Sequence, residues 1–97
     1  MPTQLRIYTI NRGSLQQFAA EWKQHVLPLR LKYGFQIQGA WLIPASNQFA
    51  WLITYDGPES WEAQEAEYYS SAERKAMQPD PARLIARAEQ EFVESIL

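Results

Sequence analysis

The 97-residue sequence predicts an α+β domain with the element order β-α-β-β-α-β. Strand-like segments and amphipathic helical segments alternate along the chain in that order. The segment Gln48–Tyr55 carries apolar side chains at both odd and even positions, which favours a strand buried on both faces. A chain this short forms one domain, residues 1–97, and buries a limited core by itself. These observations predict a ferredoxin-like subunit whose antiparallel four-stranded sheet carries helices on one face and pairs with a second copy through the other.

The first strand and the first helix are the clearest elements of the N-terminal half. Leu5–Ile10 combines β-branched and aromatic residues and predicts a strand. A helix is predicted from Ser14 to about Tyr33, because apolar residues recur there at helical spacing. These residues are Leu15, Phe18, Ala19, Trp22, Val26, Leu29 and Tyr33.

The ends of this helix carry recognisable signals. Ser14 and Gln17 have the spacing of a capping box, and Gly34 is suited to end the helix. Pro28 lies inside the helix and cannot donate a backbone hydrogen bond, so we expect a kink there.

Two further strands are predicted at Phe35–Ile43 and Gln48–Tyr55, with turn residues between them. Gly39 predicts a bulge or a close approach of another group in the first of the two, because glycine in a strand interior often marks either feature. In the second, Phe49 and the residues at alternate positions after it should face one side of the sheet.

The C-terminal half contains two helix-start signals and an ambiguous tail. Asp56 and Glu59 predict the start of a helix that runs to about Ser70. A capping box at 70–73 predicts a short helix ending at Met77. Residues 82–97 favour helix by composition, but the sheet needs a fourth strand, which we assign to 87–94.

Composition excludes several classes of function. The net charge is −2 and no run of Lys and Arg exists, which argues against nucleic-acid binding. The absence of cysteine excludes disulfides and thiolate chemistry. No segment approaches the roughly 20 apolar residues of a membrane span, and no nucleotide, serine-hydrolase or zinc-protease motif is present. We therefore expect a cytoplasmic protein without a cofactor.

His25, the only histidine, is the candidate proton carrier. It could serve as a general acid or base in a pocket, or it could be a boundary residue bonded to a backbone carbonyl. Glu21 lies one turn before it, but a metal site needs three or four ligands, so we expect no metal. Arg6 and Tyr8 share one face of the first strand and could bind a carboxylate or a phenolic oxygen. Alternatively, Arg6 forms a buried or interface pair with a carboxylate.

Aromatic residues are the candidate lining of a pocket between helices and sheet, although the same spacing is typical of plain core. These residues are Trp22, Trp41, Trp51, Tyr55, Trp61 and Tyr68. Asn47, beside the predicted turn, is a further candidate binding residue. A run of glutamates in the second helix is interpreted as a solvated face; it comprises Glu59, Glu62, Glu65 and Glu67.

Several segments together resemble the NIPSNAP family. They are Leu5–Ile10 with Gly13, Trp22–Leu29, Gly34–Phe35, Gly39–Trp41, Asn47–Leu52 and Tyr55–Asp56. The resemblance implies a dimeric α+β barrel, in which two ferredoxin-like subunits bring their sheets together and keep their helices outside. It also supports a strand rather than a helix in the tail.

Two hypotheses for function follow. In the first, the chain is a NIPSNAP-like homodimer that binds a small hydrophobic or aromatic molecule between helices and sheet. In the second, it is a cofactor-independent enzyme resembling a monooxygenase or an isomerase. His25 would then move a proton, while Arg6 or Tyr8 stabilises a developing oxyanion.

Overall fold

The computed structural model describes all 97 residues and has the element order that the sequence predicts. The strands are β1 (Thr3–Ile10), β2 (Phe35–Ile43), β3 (Gln48–Tyr55) and β4 (Ile85–Val93), and the helices are α1 (Leu15–Glu21), α2 (Leu27–Lys32), α3 (Trp61–Ser70) and α4 (Ala72–Lys75). The strands form one antiparallel sheet in the order β2-β3-β1-β4. This confirms the ferredoxin-like fold, including a fourth strand in the tail despite its helix-favouring composition.

The first long helix is interrupted by a π-helical turn over Trp22–Val26, which joins α1 to α2. The backbone N–H of Leu27 donates to the carbonyl of Trp22. The irregularity therefore falls just before Pro28, and the proline occupies the first turn of a new α-helical segment, where its missing N–H costs least. The sequence had predicted a kink at the proline itself.

The predicted capping box at the start of α1 is wrong. The side chain of Ser14 makes no capping hydrogen bond, and Gln17 instead donates to the Glu21 carboxylate at 3.0 Å. The prediction at the other end is confirmed, because Gly34 takes the left-handed conformation, with φ of +87°.

The helices of the C-terminal half also have boundaries that differ from the predicted ones. Asp56 and Glu59 lie in a loop, and Ser60 caps α3 by accepting a hydrogen bond from the Ala63 N–H at 3.1 Å. Ser71 caps α4, which ends at Lys75 rather than at Met77. The bulge in β2 is confirmed, since the register with β3 shifts between Ile37 and Gly39.

All four helices pack on one face of the sheet. Alternate residues of β3 point toward them and belong to the core: Phe49, Trp51, Ile53 and Tyr55. The molecule is only 18 Å thick along its shortest axis, which corresponds to one layer of helices on one layer of strands. No helix has the length and apolar character needed to cross a membrane.

The opposite face of the sheet is covered by no other element, and we call it the open face. The strand register places alternate residues of each strand on it, among them Leu5, Ile7, Trp41, Ile43, Leu52 and Val93. Trp41 is 51% exposed and its ring lies over Gly39. The sequence predicts that β3 is apolar on both sides. In the structure one side packs against the helices, and the other side belongs to the open face.

Candidate functional site

A cavity of about 70 Å³ lies between the sheet and the helices. Its wall is mainly aromatic and apolar, with contributions from Tyr8, Phe18, Trp22, Val26, Trp51 and Tyr68. Arg30 lies in the inner wall, whereas Tyr69 and Ala82 belong to a solvent-exposed rim. The cavity is therefore an apolar recess that opens to the surface.

The aromatic wall is assembled from rings that separate elements contribute. Trp22, on the π-helical turn, packs against Trp51 of β3 with ring centroids 5.3 Å apart and planes at 76°. Tyr8 of β1 lies 6.3 Å from the Trp51 ring. The π-helical turn places both Trp22 and Val26 on the side that faces the sheet, and such turns frequently occur at functional sites.

A buried ionic network stands behind this wall. Arg6 and Arg30 are 3% and 1% exposed, and both donate to the carboxylate of Glu65. The Arg6–Glu65 distance is 2.9 Å. Arg6 also donates to the side-chain oxygen of Gln4 at 2.6 Å, and both arginines donate to the Tyr69 hydroxyl, at 3.3 Å and 3.2 Å.

Two buried guanidinium groups thus share one carboxylate. Burial by itself lowers the pKa of Arg6, but the oxygens of Tyr8, Glu65 and Tyr69 outweigh it and hold that pKa above its usual value. Arg6 therefore remains charged, and the wall keeps an excess of positive charge.

Arg30 is also sandwiched by aromatic rings. Its guanidinium carbon lies 3.8 Å from the centroid of Tyr68 and 4.6 Å from that of Phe35. Such cation–π contacts are worth about 2 kcal/mol or more when they are desolvated. The stacking fixes the plane of the guanidinium beside the cavity.

The rim is held by a pair between Arg74 of α4 and Asp80 of the following loop. Arg74 donates to both oxygens of Asp80, at 2.9 Å and 3.2 Å. Burial alone would raise the pKa of Asp80, but the bonds from Arg74 and from the Ala82 N–H hold it below the ordinary 3.8. The pair therefore keeps the loop that contains Ala82 against the cavity.

Replacing Asp80 with Asn is expected to cost about 1 kcal/mol of stability at pH 7, because the pair is partly exposed and solvent screens it. Since the folded-state pKa of Asp80 is depressed, its contribution is complete above the ordinary pKa and disappears as the pH falls through the folded value. Urea unfolding of both proteins between pH 7 and pH 2 measures this. A stability difference that stays constant over this range would contradict the assignment.

The structure brings together four of the predicted site residues, Tyr8, Trp22, Trp51 and Tyr68, in the wall of one cavity. Arg6 lies behind the same wall, with its guanidinium carbon 5.5 Å from the Trp51 ring centroid. The predicted pocket between helices and sheet is thus matched by a cavity at that place.

Other predicted residues lie elsewhere. His25 lines a separate surface groove with Lys32 and Glu73, and Trp41 lies on the open face. Asn47 adopts φ of +56° in the turn before β3, where its side-chain amide donates to the Ile10 carbonyl at 2.7 Å.

The two remaining aromatic candidates belong to the core beyond the cavity. Tyr55 packs on Phe35, with centroids 5.3 Å apart. Trp61 lies between Phe35 and Phe92, at 5.7 Å and 5.3 Å.

Sequence reasoning named Arg6 but missed Arg30 and the role of Glu65. Arg30 continues the series Trp22, Val26 at intervals of four, a signal that it shares their face of the helix. Glu65 was interpreted as part of a solvated face, yet only 18% of its side chain is exposed and it neutralises buried arginines. No three His, Asp or Glu side chains converge as metal ligands would.

Comparisons with known proteins identify a family and solved structures that are similar to this chain. The NIPSNAP family model matches residues 3–96. Among solved structures, an uncharacterized NIPSNAP domain protein from Burkholderia xenovorans is 20% identical, with 98% of this chain and 94% of that one covered and a TM-score of 0.84. A NIPSNAP family protein from Agrobacterium tumefaciens is 15% identical, with 96% and 90% covered and a TM-score of 0.84.

A more distant structure is that of a protein from Nitrosomonas europaea proposed to be an antibiotic biosynthesis monooxygenase. It is 9% identical, both chains are covered to 100%, and the TM-score is 0.70. At these identities the likeness of the structures shows the fold alone. The curated proteins contain no match to this chain.

Proposed function

The chain belongs to the NIPSNAP family, and from this premise we propose that it binds a small hydrophobic or aromatic molecule in the cavity between helices and sheet. The observation that carries the proposal is the convergence of Tyr8, Trp22, Trp51 and Tyr68, from four separate elements, on one recess that opens to solvent. Ligand sites are typically concave and apolar with a few convergent polar groups. Here the polar groups are guanidinium and indole N–H donors.

The size of the cavity limits the ligand. At about 70 Å³, it is smaller than the pockets of roughly 300–1,000 Å³ that hold drug-sized molecules. The ligand is therefore a small ring, or a larger molecule that inserts one end and leaves the rest at the rim.

Fluorobenzene tests this proposal as a neutral aromatic probe observed by ¹⁹F NMR. We expect saturable binding to the wild type and at least a roughly tenfold weaker affinity for Ala82→Trp, because the large ring fills the rim and removes about 1.4 kcal/mol or more of binding energy. Ala72→Trp, on the exposed surface of α4, is the matched control and should bind as the wild type does. Equal binding by all three proteins would contradict the assigned site.

We also propose that residues 1–97 act as one domain that forms a homodimer through the open face, and that this dimer works in the cytoplasm. The supporting observation is the apolar open face, where Trp41, Ile43 and Val93 are 51%, 36% and 38% exposed. Leu5, Ile7 and Leu52 continue the apolar surface beside Trp41, whereas β4 adds Arg87, Glu89 and Glu91 at its border. Exposed apolar patches with a polar border mark interaction sites. A second copy offers the same surface, and a two-fold axis would pair the two sheets face to face.

A further inference from the structure

The buried side-chain donors that lack a partner all belong to residues of the cavity wall. Only three buried side-chain nitrogen or oxygen atoms in the chain make no hydrogen bond: Trp22 Nε1, Trp51 Nε1 and Arg30 Nε. Their residues are 5%, 1% and 1% exposed, and all three line the same cavity. Buried polar groups are nearly always paired, so three unpaired donors around one recess require an explanation.

All three atoms are donors, and the charged groups nearby favour the same partner. Arg6, Arg30 and Arg74 bring three positive charges to the site, whereas Glu65 and Asp80 bring two negative charges. Both carboxylates are already engaged by the arginines. The site thus presents three unpaired donors and one uncompensated positive charge, without a free carboxylate.

We propose that the ligand of this cavity is a small aromatic carboxylate, an inference that rests on the proposed binding function and specifies its ligand class. The carboxylate oxygens accept from the indole N–H groups of Trp22 and Trp51 and from Arg30 Nε. Two such oxygens offer about four lone-pair sites, enough for all three donors. The ring occupies the apolar wall beside Tyr8 and Tyr68.

A carboxylate fits these observations better than a neutral or cationic group. Charge-assisted hydrogen bonds are roughly twice as strong as neutral ones, and a desolvated site with excess positive charge amplifies the difference. A cationic group would face Arg30 and Arg74 and leave the three donors unpaired. An amide could satisfy the donors with its carbonyl oxygen but would not neutralise the charge.

Three probes of nearly equal shape separate these cases: benzoate, benzamide and benzylamine, each titrated into the wild type by calorimetry at pH 7. We expect benzoate to bind tightest, benzamide roughly tenfold more weakly, and benzylamine weakest. Trp51→Phe and Trp22→Phe keep an aromatic ring but remove one N–H. Each should weaken benzoate binding roughly tenfold and change fluorobenzene binding less.

Trp61→Phe is the matched control, because it makes the same change in a buried tryptophan outside the cavity. It should leave the preference for benzoate intact. Equal affinity for the three probes, or a preference for benzylamine, would overturn this inference, while fluorobenzene binding would still support the proposed function. Binding of none of the probes, fluorobenzene included, would overturn both. If Trp61→Phe lost the preference for benzoate as fully as Trp22→Phe and Trp51→Phe do, the assignment of the donors would also be overturned.

Discussion

Replacing Glu65 with Gln is expected to lower the free energy of unfolding by about 3–5 kcal/mol, because it removes one partner of a buried ion pair. Glu65 is the carboxylate that both Arg6 and Arg30 contact, and the arginines are 3% and 1% exposed. The glutamine can still accept hydrogen bonds, but it leaves two buried positive charges without compensation. Urea denaturation followed by tryptophan fluorescence measures the loss.

Glu67→Gln is the control for this experiment. Glu67 lies two residues further along α3 and is exposed, so its substitution should change stability by less than about 0.5 kcal/mol. A Glu65→Gln protein as stable as the control would mean that the two guanidinium groups are solvated in solution, contrary to the structure. It would also weaken the argument that Arg30 is held rigidly beside the cavity.

The network that Glu65 closes joins parts of the chain that are far apart in sequence. Arg6 and Arg30 precede it by 59 and 35 residues. Spacing along one helix or strand cannot reveal such a pair, because periodicity reports only which residues share a face. For this reason the sequence offered the aromatic residues as either pocket lining or plain core and assigned Glu65 to a solvated surface.

The strands were predictable because their apolar and β-branched residues favour a sheet, whichever strand lies beside them. Even the tail, whose composition favours helix, pairs with β1 along its length. Tertiary pairing overrides intrinsic propensity there, since the edge of β1 would otherwise leave its backbone donors and acceptors unpaired.

The helix starts were less predictable because several residues could cap them equally well. Asp56 and Ser60 both have suitable side chains. The choice falls on Ser60 because Trp61, the first residue of α3, packs between Phe35 and Phe92. Long-range packing thus decides a boundary that local signals leave open.

Replacing Leu52 with Arg is expected to convert the proposed homodimer into monomers. Leu52 lies on the open face of β3, opposite Leu5 of β1 and Gly39 of β2. A two-fold axis brings in two arginines for each dimer, and loss of about 2 kcal/mol at each interfacial position would raise the dissociation constant roughly a thousandfold. Sedimentation velocity over a concentration series measures the change.

Ala66→Arg is the matched control, because Ala66 is exposed on α3, on the opposite side of the molecule from the open face. It adds the same charge and should leave the association unchanged. The Leu52→Arg monomer should remain folded, since the side chain can reach solvent once the face is uncovered, and its circular dichroism should match that of the wild type. A wild type that sediments as a monomer at all micromolar concentrations would contradict the proposal. The apolar open face, with Trp41 half exposed, would then have to be stable in water without a second sheet to cover it.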